Sequence, residues 1–355
     1  MSFCVMGKEV KIPVIQGGMG IGVSMSSLAG AVAKGGGVGV ISAAQIGFKE
    51  PDFDKNPLEA NLRALRNEIV KAKKIAPKGV IGVNIMVAMR YYQEYVKEAV
   101  KAGVDLIISG AGLPVDLPKF AQIEGCKTAL APIVSSVKSL QVICKYWLKK
   151  HHRLPDMIIV EGPLAGGHLG FSLEDLDGYL GGMLNYEDEV KRILNEVRAY
   201  ESEYGVRIPV VLAGGIYDVC DMKKAMELGI DGVQIATRFV TTYECDAAEA
   251  YKQTYIDASA DDIVLVKSPV GMPGRAIANN FLKEREGKNG YTGPCRICLT
   301  RCDREKIPYC ITQALIAAAN GNKEEALLFC GSNAYKATKI EHVADIMEEF
   351  AQCVS

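Results

Sequence analysis

Residues 209–239, PVVLAGGIYDVCDMKKAMELGIDGVQIATRF, hold the pattern that decides the fold. A short apolar run, Pro209 to Ala213, stops at Gly214-Gly215. Val219 to Leu228 follows with helical spacing, and a second apolar run, Gly232 to Ala236, stops at Thr237-Arg238. Strand, helix and strand within about thirty residues form the crossover unit of a parallel sheet. Neither run alternates apolar with polar residues, which is the mark of strands covered on both faces.

Moving outward, the same unit recurs. Strands are predicted at Ile12 to Gln16, Gly37 to Ser42, Val80 to Ile85, Asp105 to Ser109, Thr128 to Val134 and Met157 to Glu161. Helical stretches separate them, at Ser24 to Lys34, Asn56 to Ile75, Tyr91 to Ala102, Leu117 to Glu124, Ser136 to Lys149 and Glu187 to Tyr204. Eight such units predict an α/β fold of the (β/α)8 TIM barrel type. An open doubly wound sheet would open its first crossover with G-x-G-x-x-G, and Gly17-Gly18-Met19-Gly20-Ile21-Gly22 has the wrong spacing.

The pattern changes after Thr241. Ala247 to Ala258 reads as a helix, Lys267 to Arg275 as a Pro/Gly-rich loop and Lys283 to Pro294 as a polar stretch. Helices are predicted near Ile311 to Ala319, Lys323 to Phe329 and Ile340 to Gln352. The expected organisation is a barrel over residues 1–245, completed by a C-terminal helix at about 335–355. Residues 246–334 would form an inserted helical lid subdomain that carries a cysteine cluster.

Composition narrows the function. The 355 residues carry a formal charge of −1, which argues against a general nucleic-acid binder. The 49% hydrophobic content suits a globular enzyme, and no run approaches the roughly 18 apolar residues a spanning helix needs. Met1 to Gln16 lacks a long apolar run, so no signal peptide is expected there. Eleven cysteines, an odd number mostly scattered through apolar segments, point to a reducing cytoplasm. Oligomeric state is not encoded in any pattern here, although apolar terminal helices suit a homodimer.

Working residues of such barrels sit at the C-terminal ends of strands. Those ends read Gln16-Gly17-Gly18-Met19, Asn84, Ser109-Gly110-Ala111-Gly112, Glu161 running to Gly166-Gly167-His168, Ala213-Gly214-Gly215, and Gln234-Ile235-Ala236-Thr237-Arg238. One Gly-Gly pair is only a turn. Pairs at several strand ends point to backbone that approaches a phosphate-bearing cofactor. Flavin mononucleotide fits this arrangement. Its phosphate would lie at Gly214, Gly215 and Thr237, with charge from Arg238, and its ring edge would meet Asn84 and Gln16. His168 is a candidate general base. Of the other histidines, His151 and His152 end a lysine-rich helix, and His342 falls in the last helix; all three read as surface residues.

These motifs, in this order, resemble the nitronate monooxygenase (2-nitropropane dioxygenase) superfamily of FMN-dependent barrels, which includes the flavin-dependent enoyl-acyl-carrier-protein reductases. The matching stretches run from Pro13-Val14-Ile15-Gln16-Gly17-Gly18-Met19 to Gln234-Ile235-Ala236-Thr237-Arg238-Phe239, and Pro273-Gly274-Arg275-Ala276 extends them. The resemblance implies FMN contacts from Gly17, Gly18, Met19, Asn84, Gly214, Gly215, Gln234 and Thr237, and a catalytic His168. It also implies oxidation of alkyl nitronates with O2 through a flavin semiquinone. The alternative is NAD(P)H-dependent reduction of an enoyl thioester.

Two departures stand out. Gly17-Gly18-Met19 is closer to the reductases than the Ala-Pro-Met of many monooxygenases. Cys295, Cys298, Cys302 and Cys310 fall outside the pattern of either subgroup. Four thiols within sixteen residues are a candidate ligand set for Zn2+ or an iron–sulfur cluster.

Overall fold

In a computed structural model, residues 2–353 are described. The chain opens with β1 (Phe3–Val5) and β2 (Lys8–Val10), an antiparallel hairpin. Its turn residues Met6 and Gly7 both have positive φ, 51° and 76°, the combination a two-residue hairpin turn requires. Phe3, Val5 and Val10 pack into the apolar cluster inside the barrel. Strands of three residues are too short to show periodicity, so this plug was not expected.

The barrel strands follow: β3 (Val14–Gln16), β4 (Val38–Ser42), β5 (Val80–Met86), β6 (Leu106–Gly110), β7 (Ala129–Val134) and β8 (Ile158–Glu161). After the short β9 (Gly167–His168) come β10 (Val210–Ala213) and β11 (Gly232–Ile235). Eight of them close into a parallel barrel, with β11 pairing back onto β3. The apolar runs split between two clusters. Ile15, Val40, Ile108 and Val211 fill the barrel interior, whereas Ile41, Ile85, Ile107 and Val210 face the outer helices. A one-residue slip of such a strand would exchange the two sets and misfit both faces.

Local signals set the helix ends. Ser136 caps helix Val137–His151 in a reciprocal arrangement with Ser139. Asn185 caps helix Tyr186–Tyr204, which Gly205 ends in the left-handed region at φ 64°. The helix Val343–Ala351 packs on helix Ser26–Lys34, where Met347 lies against Gly35 and Gly37.

The expected helical lid is a mixed structure. Helices Glu249–Asp257, Asn280–Arg285 and Ile311–Ala319 are present. The stretch expected as a loop instead makes a hairpin of β12 (Ile263–Lys267) and β13 (Pro273–Ile277), and β13 pairs with β9. Its Pro and Gly occupy the hairpin's turn and strand end. Helix-like Lys323 to Phe329 is also corrected, to a short 3-10 turn at Lys323–Glu325. Beyond it the chain is extended, and its backbone bonds to Arg275 and Ile277.

Candidate active site at the C-terminal mouth of the barrel

A cavity of about 530 Å³ opens where the barrel strands end. Gly17, Gly18, Met19 and Asn84 line it from β3 and β5, and Glu161, Gly166, Gly167 and His168 from β8 and β9. Ala213, Gly214 and Gly215 follow β10; Gln234, Ala236 and Thr237 come from β11. Strand ends far apart in sequence thus share one wall, because a closed parallel barrel brings all its C-terminal ends to one face.

Two glycines permit close approach. A Cβ on Gly18 would stand 2.5 Å from the Cβ of Asn84. Gly214 has φ +102°, and a Cβ there would stand 2.8 Å from the Ala165 nitrogen.

Gln16 lies elsewhere. It is fully buried under the cavity floor, its Oε1 accepting from the Val40 N–H at 3.1 Å and its Nε2 donating to the Gly17 carbonyl. The β3–β4 pairing ends at Gln16 and Gly39, so the side-chain amide takes over the next backbone partner. Arg238 also corrects the phosphate reading. Its guanidinium is buried with Glu349, at 3.0 Å from Nη1, and with Glu341 at 3.4 Å. It lies 5.5 Å from the Tyr217 ring and 5.8 Å from the Phe350 ring. This charge fastens the C-terminal helix. His151 is half-buried and bonds the Val115 carbonyl at 3.1 Å, while His152 is exposed. His342 precedes the last helix as its N-cap and stacks on Tyr243 at 4.5 Å.

Residues beyond β11 that no sequence motif marked also line the cavity: Tyr251, Tyr255, Met272, Leu315 and Phe329, with Gly331. Ser268 holds His168, its Oγ 2.7 Å from Nε2, and Phe329 meets the imidazole edge-on at 4.9 Å. Arg275 is buried and donates to the Pro163 carbonyl at 2.9 Å and to the Ala165 carbonyl, fixing the loop before His168. The Pro-Gly-Arg-Ala stretch was the one available signal for that role.

No lysine or arginine lines the cavity among the described residues. Burial lowers His168 to about 4, so its imidazole is neutral at physiological pH. Burial raises Glu161 to about 7, against the lowering pull of the Gly170 N–H.

The cavity fits a flavin on its own evidence. Gln234 Oε1 on its wall is buried without a hydrogen-bond partner, as is Ser332 Oγ beside cavity-lining Gly331. A ring with polar edges and a phosphate would supply partners to such atoms. The Gly214-Gly215 and Ala236-Thr237 backbones suit the phosphate, and Gly17 to Met19 and Asn84 suit the ring.

The structure gives no support to a metal centre at the cysteine cluster. Among the described residues, no group of three or more His, Cys, Asp or Glu side chains is placed to hold a metal ion. Cys295 and Cys302 are exposed, and Cys298 and Cys310 are half-buried. The segment is anchored otherwise. Arg90 N–H donates to the Cys298 carbonyl and Thr300 N–H to the Ala88 carbonyl, at 3.2 and 3.0 Å. Arg296 pairs with Asp54 at 2.6 Å and lies over Phe53. Among the described residues, no helix is long and apolar enough to cross a membrane.

The family profile described as nitronate monooxygenase matches residues 4–352. This chain belongs to the nitronate monooxygenase family. It is an oxidoreductase enzyme, and the family implies FMN as its cofactor. A Staphylococcus saprophyticus family protein named probable nitronate monooxygenase is 27% identical over 298 residues, 77% of this chain and 78% of that one. The structure of FabK from Thermotoga maritima superposes with a TM-score of 0.70 at 24% identity, over 97% of this chain and 93% of that one. The enoyl reductase domain of MlnA from Bacillus amyloliquefaciens gives a TM-score of 0.65 at 13% identity, over 97% and 94%. These two likenesses show the fold.

Proposed function

We propose that this nitronate monooxygenase family member oxidises small nitroalkanes and their nitronates with O2. The observation that carries the reading is the position of His168, a neutral imidazole pinned by Ser268, on the same wall as the glycine-rich strand ends. Bound FMN would supply the redox chemistry, accepting electrons from the substrate and passing them to O2.

The chain's own residues do the rest. Gly214, Gly215 and Thr237 would hold the phosphate through backbone N–H groups and a hydroxyl. Asn84 and Gln234 would hold the ring edge. His168 would give a hydrogen bond to the nitro oxygens through whichever nitrogen carries its proton, and Phe329, Met272 and Leu315 would exclude water. Residues 246–334 act in this reading as the lid that shapes the substrate side.

A second reading, NAD(P)H-dependent reduction of an enoyl thioester, is favoured by the mouth. Leu113 and Leu164 line the cavity and are 42% and 40% exposed, a rim suited to an acyl chain. Gly17-Gly18-Met19 points the same way. Anaerobic mixing of the FMN-loaded protein with an alkyl nitronate, NADH or NADPH decides between them. Flavin bleaching by the nitronate is expected. Bleaching by a pyridine nucleotide with inertness to nitronates would select the reductase.

A further inference from the structure

Phe329 lines the cavity from the extended chain that follows the 3-10 turn at Lys323–Glu325. Its backbone, its carbonyl and its ring are each held. The backbone bridges to Ala276 of β13. On either side, the Ile277 N–H donates to the Leu328 carbonyl at 2.9 Å and the Cys330 N–H to the Arg275 carbonyl at 3.1 Å. The Phe329 carbonyl accepts from the hydroxyl of Tyr255, a buried residue. That commits the one proton of Tyr255, so Tyr251, 3.2 Å away, donates to the Tyr255 oxygen. The ring lies on Gly274, where a Cβ would stand 2.9 Å from its Cε1, and meets the His168 imidazole edge-on.

The ring is therefore a partition. It lines the cavity, and it packs against an apolar cluster that includes Ala276, Phe281, Ala314 and Leu327. A close-packed cluster does not yield to a longer substrate without strain. Truncating the ring would join apolar space beside that cluster to the cavity.

We propose that Phe329 is a specificity-determining residue, the wall that limits the substrate's alkyl group to a short chain, and that Tyr255 is the positioning residue that holds this wall. The proposal rests on the nitroalkane reading above and narrows its substrate class to short-chain nitroalkanes and their nitronates. Each methylene buried on binding adds about fourfold in affinity. In the wild-type protein that gain stops where the chain meets the Phe329 ring. Without the ring the gain continues into apolar space.

The test compares kcat/KM for the nitronates of nitroethane, 1-nitrobutane and 1-nitrohexane on the FMN-loaded protein. In F329A the ratio of the hexyl to the ethyl substrate should rise at least about tenfold over wild type. F329L, which keeps an apolar contact with the cluster, carries the test if F329A does not fold, with a rise of at least about threefold. Y255F takes the donor from the Phe329 carbonyl and should move the ratio the same way by about two- to tenfold. A merely structural loss lowers turnover of every substrate alike and leaves the ratio where it was. A ratio in the folded Phe329 variants within about twofold of wild type overturns the specificity role. An unchanged ratio in Y255F overturns the positioning role.

Straight-chain carboxylates from acetate to hexanoate share the planar two-oxygen anion of a nitronate and need no turnover. Their dissociation constants, read from the flavin absorbance, should stop falling with chain length in wild type and keep falling in F329A or F329L. The same length profile in both proteins, or binding in neither, overturns the proposal. If nitronates fail to bleach the wild-type flavin, the nitroalkane reading fails separately, and the carboxylate series decides Phe329.

Discussion

The imidazole Nε2 of His168 and the hydroxyl oxygen of Ser268 stand 2.7 Å apart, joining positions one hundred residues apart in the chain. His168 lies in β9, and Ser268 lies in the turn between β12 and β13. The two segments are tied further by β13, where Gly274 pairs with His168 and Arg275 with Gly167. The β12–β13 hairpin therefore fixes the orientation of His168 at the barrel mouth.

Ser268→Ala removes that partner from a buried ring nitrogen. A lost hydrogen bond of this kind costs about 1.5 kcal/mol, so kcat should fall about tenfold with a smaller change in KM. Steady-state kinetics on nitroethane measure it. A variant with wild-type kcat would show that Ser268 does not orient His168.

Gly214→Ala places a methyl group 2.8 Å from the Ala165 nitrogen at a left-handed φ of +102°. The loop must shift, and the backbone N–H groups proposed for the phosphate shift with it. FMN affinity should drop at least about tenfold, at a folding cost of about 1–3 kcal/mol. Flavin fluorescence titration and thermal melting read the two effects separately.

Arg238→Ala strips a buried charge network of its cation and leaves Glu341 and Glu349 facing each other. The expected loss is about 3–5 kcal/mol in urea denaturation. Glu349→Gln should cost less, because the Glu349 side chain is 40% exposed and Glu341 remains with Arg238.

Glu161 and His168 make stability depend on pH in opposite senses. Glu161 titrates at about 7 when folded against 4.5 when free. Between those values the native chain holds a proton that the unfolded chain has released, so this residue weakens the fold as pH rises. His168 titrates at about 4 when folded against 6.5 when free, so it strengthens the fold as pH rises across that range. Relative to wild type, E161Q should therefore gain stability from pH 5 to pH 8. The slope should be at most about 1.4 kcal/mol per pH unit. Flat behaviour of that difference in urea melts of the apoprotein would contradict the desolvation of Glu161.

Thiol reactivity should divide the cysteines. Cys4, Cys220, Cys295 and Cys302 are exposed, so four thiols should react rapidly in the native protein. Cys144, Cys245 and Cys330 are buried, with thiols pushed up to about 12, and should react only on unfolding. A chromogenic disulfide reagent counts both phases.

The barrel and most of its mouth were legible because their signals are local. A strand buried on both faces must be apolar throughout, and a backbone that approaches a ligand must be glycine, so Gly18, Gly214 and Gly215 marked the working face. Gln16 and Arg238 carry the same kinds of side chain as their motif neighbours, yet one supports β4 and the other holds the last helix. Polarity at a strand end gives no direction, and their partners, Val40 and Glu349, come from other elements.

The amino-acid order alone therefore determined the eight strands, the face on which they end, and the presence of His168 there. Periodicity and glycine placement depend on neighbours a few residues away. The tertiary structure decided what residues 246–334 contribute: the Ser268 partner of His168, the Phe329 and Tyr251 walls, and the Arg275 clamp on the preceding loop. It also decided that, among the described residues, the four clustered cysteines form no group placed to hold a metal ion. Those outcomes depend on burial and on contacts between segments up to a hundred residues or more apart, and no local pattern specifies them. The same holds for Glu161, whose sequence setting reads as an ordinary carboxylate until the barrel mouth partly desolvates it.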